Sequence, residues 1–249
     1  LVEDLDARIA SIGDETLSFE RAIRSLKGDS AALSDFEDRP EIPMNTCYKV
    51  LYGHRDSVES LDFDMPFGTL VTASADRSIR VWDLSSQRCH ALLQGHTGWV
   101  RTIQIMDRTV ISGSGDHTIR QWNLNRLPAL PTVTNSTIPL AGHAGAVGTL
   151  KFDEVHVISG SVDRTVKIWD LRTGQAVETI QFSAGVNDLH HDMFKISVAS
   201  GSKDVHVYNR SASSIRTLDG HTKSVRSLRH KDDTLISGGL DGVIRLWRI

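Results

Sequence analysis

The sequence predicts an all-β fold, a ring of five four-stranded blades closed by an N-terminal strand and preceded by a helix. Three observations predict it. Gly-His pairs recur at Gly53-His54, Gly95-His96, Gly142-His143 and Gly220-His221, each His followed four positions later by Val (Val58, Val100, Val147, Val225). Each unit then runs through a small-residue strand to an Asp and, six residues on, a Trp, as in "TASADRSIRVWD", "SGSGDHTIRQWN", "SGSVDRTVKIWD" and "SGGLDGVIRLWR". The Trp spacings are 40, 47 and 78, and the last is two periods of 39 with Tyr208 at the midpoint.

A period near 40 residues with these signatures is that of the WD-repeat β-propeller blade. Four units are complete and the fourth in chain order is degenerate. It has Phe182 where the His should stand, Val186 four residues on, and "ASGSKDVHVYNR" in place of the Asp-to-Trp stretch. The repeated His, Asp, Ser/Thr and Trp can join in one buried hydrogen-bonded chain, with Thr72, Ser112, Ser159 and Ser237, four before each Asp, as its hydroxyls. A satisfied network of this kind rigidifies a blade, so the fourth unit should be the softest.

The outermost strand of each unit follows its Trp, as in "QRCHALLQGH" and "SSIRTLDGH". The last unit stops two residues after Trp247, while "CYKVLYGH" is an outer strand with no blade of its own. Residues 47–52 should therefore pair with the last blade and close the ring, leaving only short strand edges.

Ahead of the propeller (residues 47–249), residues 1–27 read as a coiled-coil helix. Val2, Leu5, Ile9, Ile12, Phe19, Ile23 and Leu26 alternate three and four apart, and only Thr16 breaks the series. Gly13 costs roughly 1 kcal/mol in a helix interior, and Glu15 would face Glu20 of a parallel partner. A helix lying on its own propeller is the alternative to self-association. Residues 28–46, acidic and carrying Pro40 and Pro43, read as a linker.

Composition narrows the function. The 249 residues are 39% hydrophobic and 24% charged, as in soluble globular chains, with no apolar run near the ~20 residues of a membrane span. The first residue is Leu and no signal peptide precedes it, so the chain reads as part of a longer protein. Net charge is −3: residues 1–46 hold eleven acidic and five basic side chains, the rest twenty and twenty-three. Neither part is basic enough to argue for nucleic acid. Cys47 and Cys89 lack metal-ligand spacing and suit a reducing compartment. His190-His191-Asp192 lacks further ligands for a metal, and the repeated Ser, His and Asp are scaffold rather than a triad. "SGSGD" precedes a strand, not a helix, and so is no phosphate loop. No enzyme and no cofactor is expected.

What remains is surface. Arg55, Trp99 and Lys223 lie in the inner loops, while Arg77, His117 and Arg164 directly follow the turn Asp. Trp99 stands where other units hold Ser57, Ala146 and Ser224, so it is either an interface anchor or a plug against the next blade. The cations around one channel favour an acidic partner segment.

"LDFDMPFGTLVTASADRSIRVWDL", "FDEVHVISGSVDRTVKIWDLRTGQAVETI" and the His-less unit ending "VHVYNR" resemble the fungal mitochondrial division protein family over residues 47–249. The resemblance implies a non-enzymatic adaptor of mitochondrial fission, cytoplasmic and peripheral on the outer mitochondrial membrane. Its propeller would bind a dynamin-related GTPase and its coiled coil would form a homo-oligomer. A tail-anchored mitochondrial receptor would be bound through a region that this chain does not contain. The family's propeller has seven units, and "IRQWNLNRLPALPTVTNSTIPLAGH", where the 47-residue spacing falls, looks like the place where two are absent. The alternative is a general WD-repeat scaffold such as a ubiquitin-ligase substrate receptor.

Overall fold

The computed structural model describes residues 47, 49–64, 68–126, 133–135 and 139–249. The helix over 1–27, the linker over 28–46 and Met65–Phe67 of the "DMPFGT" loop lie outside them.

The described residues form five consecutive blades. Blade 1 is β1 (Val58–Asp64), β2 (Thr69–Ser74), β3 (Ile79–Asp83) and β4 (Arg88–Gln94). Blade 2 is β5 (Val100–Met106), β6 (Thr109–Ser114) and β7 (Thr118–Asn123). After a 3-10 turn at Leu124–Arg126 and a detached strand, β8 (Val133–Asn135), blade 2 ends with a short outer strand, β9 (Leu140–Ala141). Blade 3 is β10 (Val147–Phe152), β11 (His156–Ser161), β12 (Thr165–Asp170) and β13 (Ala176–Gln181). Blade 4 is β14 (Val186–His191), β15 (Lys195–Ser200), β16 (Val205–Asn209) and β17 (Ser214–Leu218). Blade 5 is β18 (Val225–Lys231), β19 (Thr234–Gly239) and β20 (Ile244–Arg248). Within each blade the strands pair antiparallel in chain order.

Hydrophobic layers lie between blades. Val71, Val81 and Leu93 of blade 1 pack with Val100, Ile103 and Trp122 of blade 2, and three further layers repeat the arrangement down to Val205 of blade 4 with Leu228 of blade 5. The repeating contact is a Val at the start of each inner strand. A β-bulge directly after it, between Val100 and Thr102 or Val147 and Thr149, releases the Val from the strand's alternation. The Val then presses into a small residue of the preceding blade. A Cβ added to Gly113 would stand 2.7 Å from Val147, and one on Gly160 would stand 2.4 Å from Val186. The repeated glycine makes room for the next blade's Val.

Each complete blade carries the expected side-chain chain. In blade 3, Trp169 Nε1 donates to Ser159 Oγ over 2.8 Å, Ser159 Oγ lies 2.8 Å from His143 Nε2, and His143 Nδ1 lies 2.8 Å from Asp163. Blades 1, 2 and 5 repeat it through Thr72, Ser112 and Ser237. The ionised carboxylate can only accept, so the proton of a neutral imidazole sits on Nδ1 facing it, Nε2 accepts from the hydroxyl, and the hydroxyl accepts from the indole N–H. The other Asp oxygen accepts the N–H two residues on, from Ser78, Thr118 and Thr165, forming an Asx turn. Burial raises the pKa of Asp76, Asp116 and Asp163, but the hydrogen bonds they accept outweigh it and hold all three below the usual carboxylate range.

In blade 4 the chain is broken. Phe182 is buried, His206 packs against it with ring centroids 5.2 Å apart, and Tyr208 turns its hydroxyl to Glu178. Val198 stands at the hydroxyl position, paired with Leu189 as Ser159 is with Leu150, and Ser197 beside it is fully buried with no partner for its Oγ.

One expectation is corrected. Among the described residues of 47–52 none is in a strand, and blade 5 has three strands, not four. β1 packs on β5 and β14 on β18, but β18 has no comparable packing against β1. A strand leading into blade 1 therefore has no adjacent blade 5 to join. Blade 3 follows blade 2 directly, with β10 packed on β5 and β6. The extra residues there instead supply β8, which pairs parallel with β4 through Leu92–Val133, Leu93–Thr134 and Gln94–Asn135, giving blade 1 a fifth strand.

Candidate interaction face

The loops between blades and the Asp turns lie at the same end of every blade. Gly98 brings the inner loop of blade 2 onto the turn, since a Cβ there would stand 2.6 Å from Asp116 N. Thr97 N–H donates to Asp116, as Arg55 N–H does to Asp76 and Thr222 N–H to Asp241. The carboxylate that anchors each His thus also pins the loop. At Asp241 the Thr222 N–H is the largest influence, and the pKa falls to about 2.

Trp99 follows from this geometry. Its indole lies over Gly115 of its own blade, where a Cβ would stand 2.6 Å from the ring, and it keeps 40% exposure. At the position of Gly115 the other turns hold Ala75, Val162 and Leu240, opposite Ser57, Ala146 and Ser224. Blade 2 reverses the large turn residue and small loop residue of blades 3 and 5. Trp99 thus packs on its own turn and presents a half-exposed ring edge. Arg101 stacks beside it with its guanidinium 5.8 Å from the ring centroid, and Arg101 also reaches Glu59 of blade 1 over 3.3 Å. Arg101 and Glu59 were not singled out from the sequence. Strand alternation could not have found them, because Trp99 precedes β5 and the bulge after Val100 breaks the alternation there.

Arg77, His117 and Arg164 occupy one backbone position in three successive blades, with φ of 68°, 69° and 70°, and their side chains are exposed. Blade 5 fills this left-handed position with Gly242 at 74°. The shared conformation closes the Asp turn, and the side chains are carried outward by it. Arg55 and Lys223 are also exposed. No hydrogen bond or ion pair joins any two of the six among the described residues, so they are a dispersed basic set around Trp99, not a cluster.

Between the five inner strands lies a polar cavity of about 390 Å³, with Asp62, Gln104, Lys151, Asp188 and Arg229 in its lining. Burial, and then the nearby Arg229, lower the Lys151 pKa. His190 meets His230 edge to face at 4.6 Å, and His230 Nε2 lies 3.1 Å from Asp192. No group of three or more metal-capable side chains converges among the described residues. No helix of the described residues is long and apolar enough to cross a membrane.

The profile of the "WD domain, G-beta repeat" family matches residues 45–83, 87–123, 134–170 and 212–248, passing over the degenerate blade 4. The chain is 33% identical over 199 residues to "Mitochondrial division protein 1" of Aspergillus oryzae and 30% identical over 199 residues to that of Aspergillus clavatus, covering 80% of this chain in each case. It is 29% identical over 217 residues to the protein of the same name in Mycosarcoma maydis. This chain spans 23% of the length of each of these three relatives. Four matched repeats and the blade geometry that they encode place the chain in the WD-repeat family, with its likeness running to the WD-repeat mitochondrial division proteins.

Proposed function

We propose that this chain is a non-enzymatic adaptor of mitochondrial fission, peripheral on the outer mitochondrial membrane, whose blade face recruits a dynamin-related GTPase. The names of its relatives support the setting. The observation that carries the site is Trp99, a half-exposed indole held rigid by Gly115 and Arg101 amid a dispersed set of cations. A fixed aromatic anchor loses little rotamer entropy on binding, and Trp and Arg dominate interface hot spots. Arg55, Arg77, His117, Arg164 and Lys223 surround it as a basic rim that speeds capture of an acidic segment. In each complete blade the hydroxyl beside the His is buried and takes the Trp hydrogen bond, which fits a scaffold rather than a nucleophile. The test is binding of the purified fission GTPase. Trp99→Ala should weaken it by about 2 kcal/mol or more, roughly 30-fold, with an unchanged fold. Wild-type affinity in a folded Trp99→Ala protein, or capture of ligase subunits in place of the GTPase, would sink the reading.

A further inference from the structure

The inner hairpin of each blade turns at the end opposite the Asp turns, and its tip is anchored in one way. The carbonyl of a tip residue accepts the N–H just beyond the third strand: Arg108 from Leu124, Val155 from Leu171, Phe194 from Arg210 and Asp233 from Ile249. In blades 3 and 4 the Asp before the tip closes the turn. Asp153 accepts the N–H groups of Val155 and His156, and Asp192 those of Phe194 and Lys195. The tip side chains take no part in these bonds, and turns otherwise favour small or polar residues. Blade 2 has Asp107-Arg108 at its tip and blade 5 has Asp232-Asp233. Blade 4 instead has Met193 and Phe194, 81% and 60% exposed, and Val155 on the neighbouring tip is 54% exposed. Blade 4 packs between blades 3 and 5, so this apolar tip lies in the interior of the array.

We propose that this end of the blades docks a partner protein segment that presents a Lys or Arg beside a large apolar side chain. Met193 adapts to an irregular partner and Phe194 brings a large apolar ring. Charge selects the partner. Over residues 153–156, 192–195 and 231–234, five carboxylates stand against two lysines, and Lys195 is held by Asp233 and the Ile249 carbonyl. Burial raises the pKa of Asp153 and Asp192, but the N–H groups bound to them outweigh it, so both stay charged. A groove of about 350 Å³ opens beside the blade 3 tip, toward blade 2. Met106, Phe152 and Leu171 give it an apolar lining, and Asp107, Asp153 and Glu154 outnumber Arg172 there. A Lys or Arg suits such a groove, with an apolar stem and a cationic head. Like charge disfavours the same end of a second copy, and an anionic bilayer as well. The site is independent of the Trp99 end, whose cations select the opposite charge.

The test is panning of random displayed peptides on the full chain, then titration of an enriched peptide, synthesised with a label, by fluorescence anisotropy. Enriched sequences should pair Lys or Arg with a large apolar residue, and their binding should weaken with salt. Met193→Ser with Phe194→Ser should weaken it about tenfold or more. Both side chains are exposed, and Phe194→Ser alone repeats the test if the pair folds poorly. Glu154→Lys with Asp232→Lys should weaken binding through charge, while Trp99→Ala should leave it unchanged. No enrichment, acidic or uncharged enriched peptides, or wild-type affinity in the folded Met193→Ser, Phe194→Ser chain would each overturn the proposal, as would loss of binding in Trp99→Ala. Self-association of the chain, or binding to phosphatidylserine vesicles, that Phe194→Ser abolishes would also overturn it, since the occupant would then be a second copy or a membrane.

Discussion

Trp169 donates its indole hydrogen to Ser159 over 2.8 Å, at the far end of a chain whose direction is set by the Asp163 carboxylate facing His143 Nδ1. Ser159→Ala removes the acceptor of Trp169 and the donor to His143 together, leaving two buried polar atoms unpaired. Each such loss costs about 1–3 kcal/mol, so the melting temperature should fall by several degrees. Ser197→Ala in blade 4, one residue before the equivalent of Ser159, removes a buried hydroxyl that has no partner and should be near neutral or stabilising. Equal destabilisation by the two substitutions would contradict the network.

Blades 4 and 5 should be acid-labile. Burial, then the neighbouring His230, Arg229, Lys151 and His191, lower the His190 pKa to about 4, and burial also lowers His230 and His191. An unfolded His takes its proton near pH 6.5. Between there and about 4 the unfolded state therefore binds more protons, and stability is lost as pH falls. The Asp turns reinforce this at lower pH. Their depressed carboxyls contribute stability that is present above pH ~4 and is lost as pH falls through the folded values. The facing groups Asp153 and Asp192 favour charged His191 and His230, but burial wins at both. Chemical unfolding at a series of pH values checks this. His190→Gln should flatten the slope between pH 6.5 and about 4, and an unchanged slope would remove His190 from the account.

The detached strand β8 should protect the outer edge of blade 1. Replacing residues 127–138 with a Gly-Ser linker removes the parallel pairing with Leu92–Gln94. Amide exchange of that stretch should speed up while blades 3 to 5 keep their protection. An unprotected edge also invites pairing with other chains, so the variant should be less soluble. Unaltered exchange at Leu92–Gln94 would rule out the pairing.

The heptads of residues 1–27 predict self-association independent of the blades. In sedimentation velocity any dimer of the chain should disappear on introducing Ile9→Asp and Ile23→Asp. If the unsubstituted chain is already monomeric at high concentration, the segment does not oligomerise.

The repeat itself was legible from residues alone because each blade is a local unit. His54, Thr72, Asp76 and Trp82 lie within 29 residues, and the antiparallel turns between them bring them together in any blade. The same locality placed the five inner Val residues, the outer strands after each Trp, and the defect at Phe182 and Tyr208. Trp99 was visible as an odd large residue, but its meaning needed Gly115, whose relevance appears only when the loop folds back on the turn. Ring closure was not legible. Strand pattern says which edges need partners, but not how far apart the first and last blades stand. That separation is the accumulated result of four Val-in-socket contacts between segments tens of residues apart. For the same reason the 47-residue spacing could not reveal β8. Spacing counts residues, whereas pairing with β4 depends on where the chain passes in space, and so the tertiary structure decided the extra strand on blade 1.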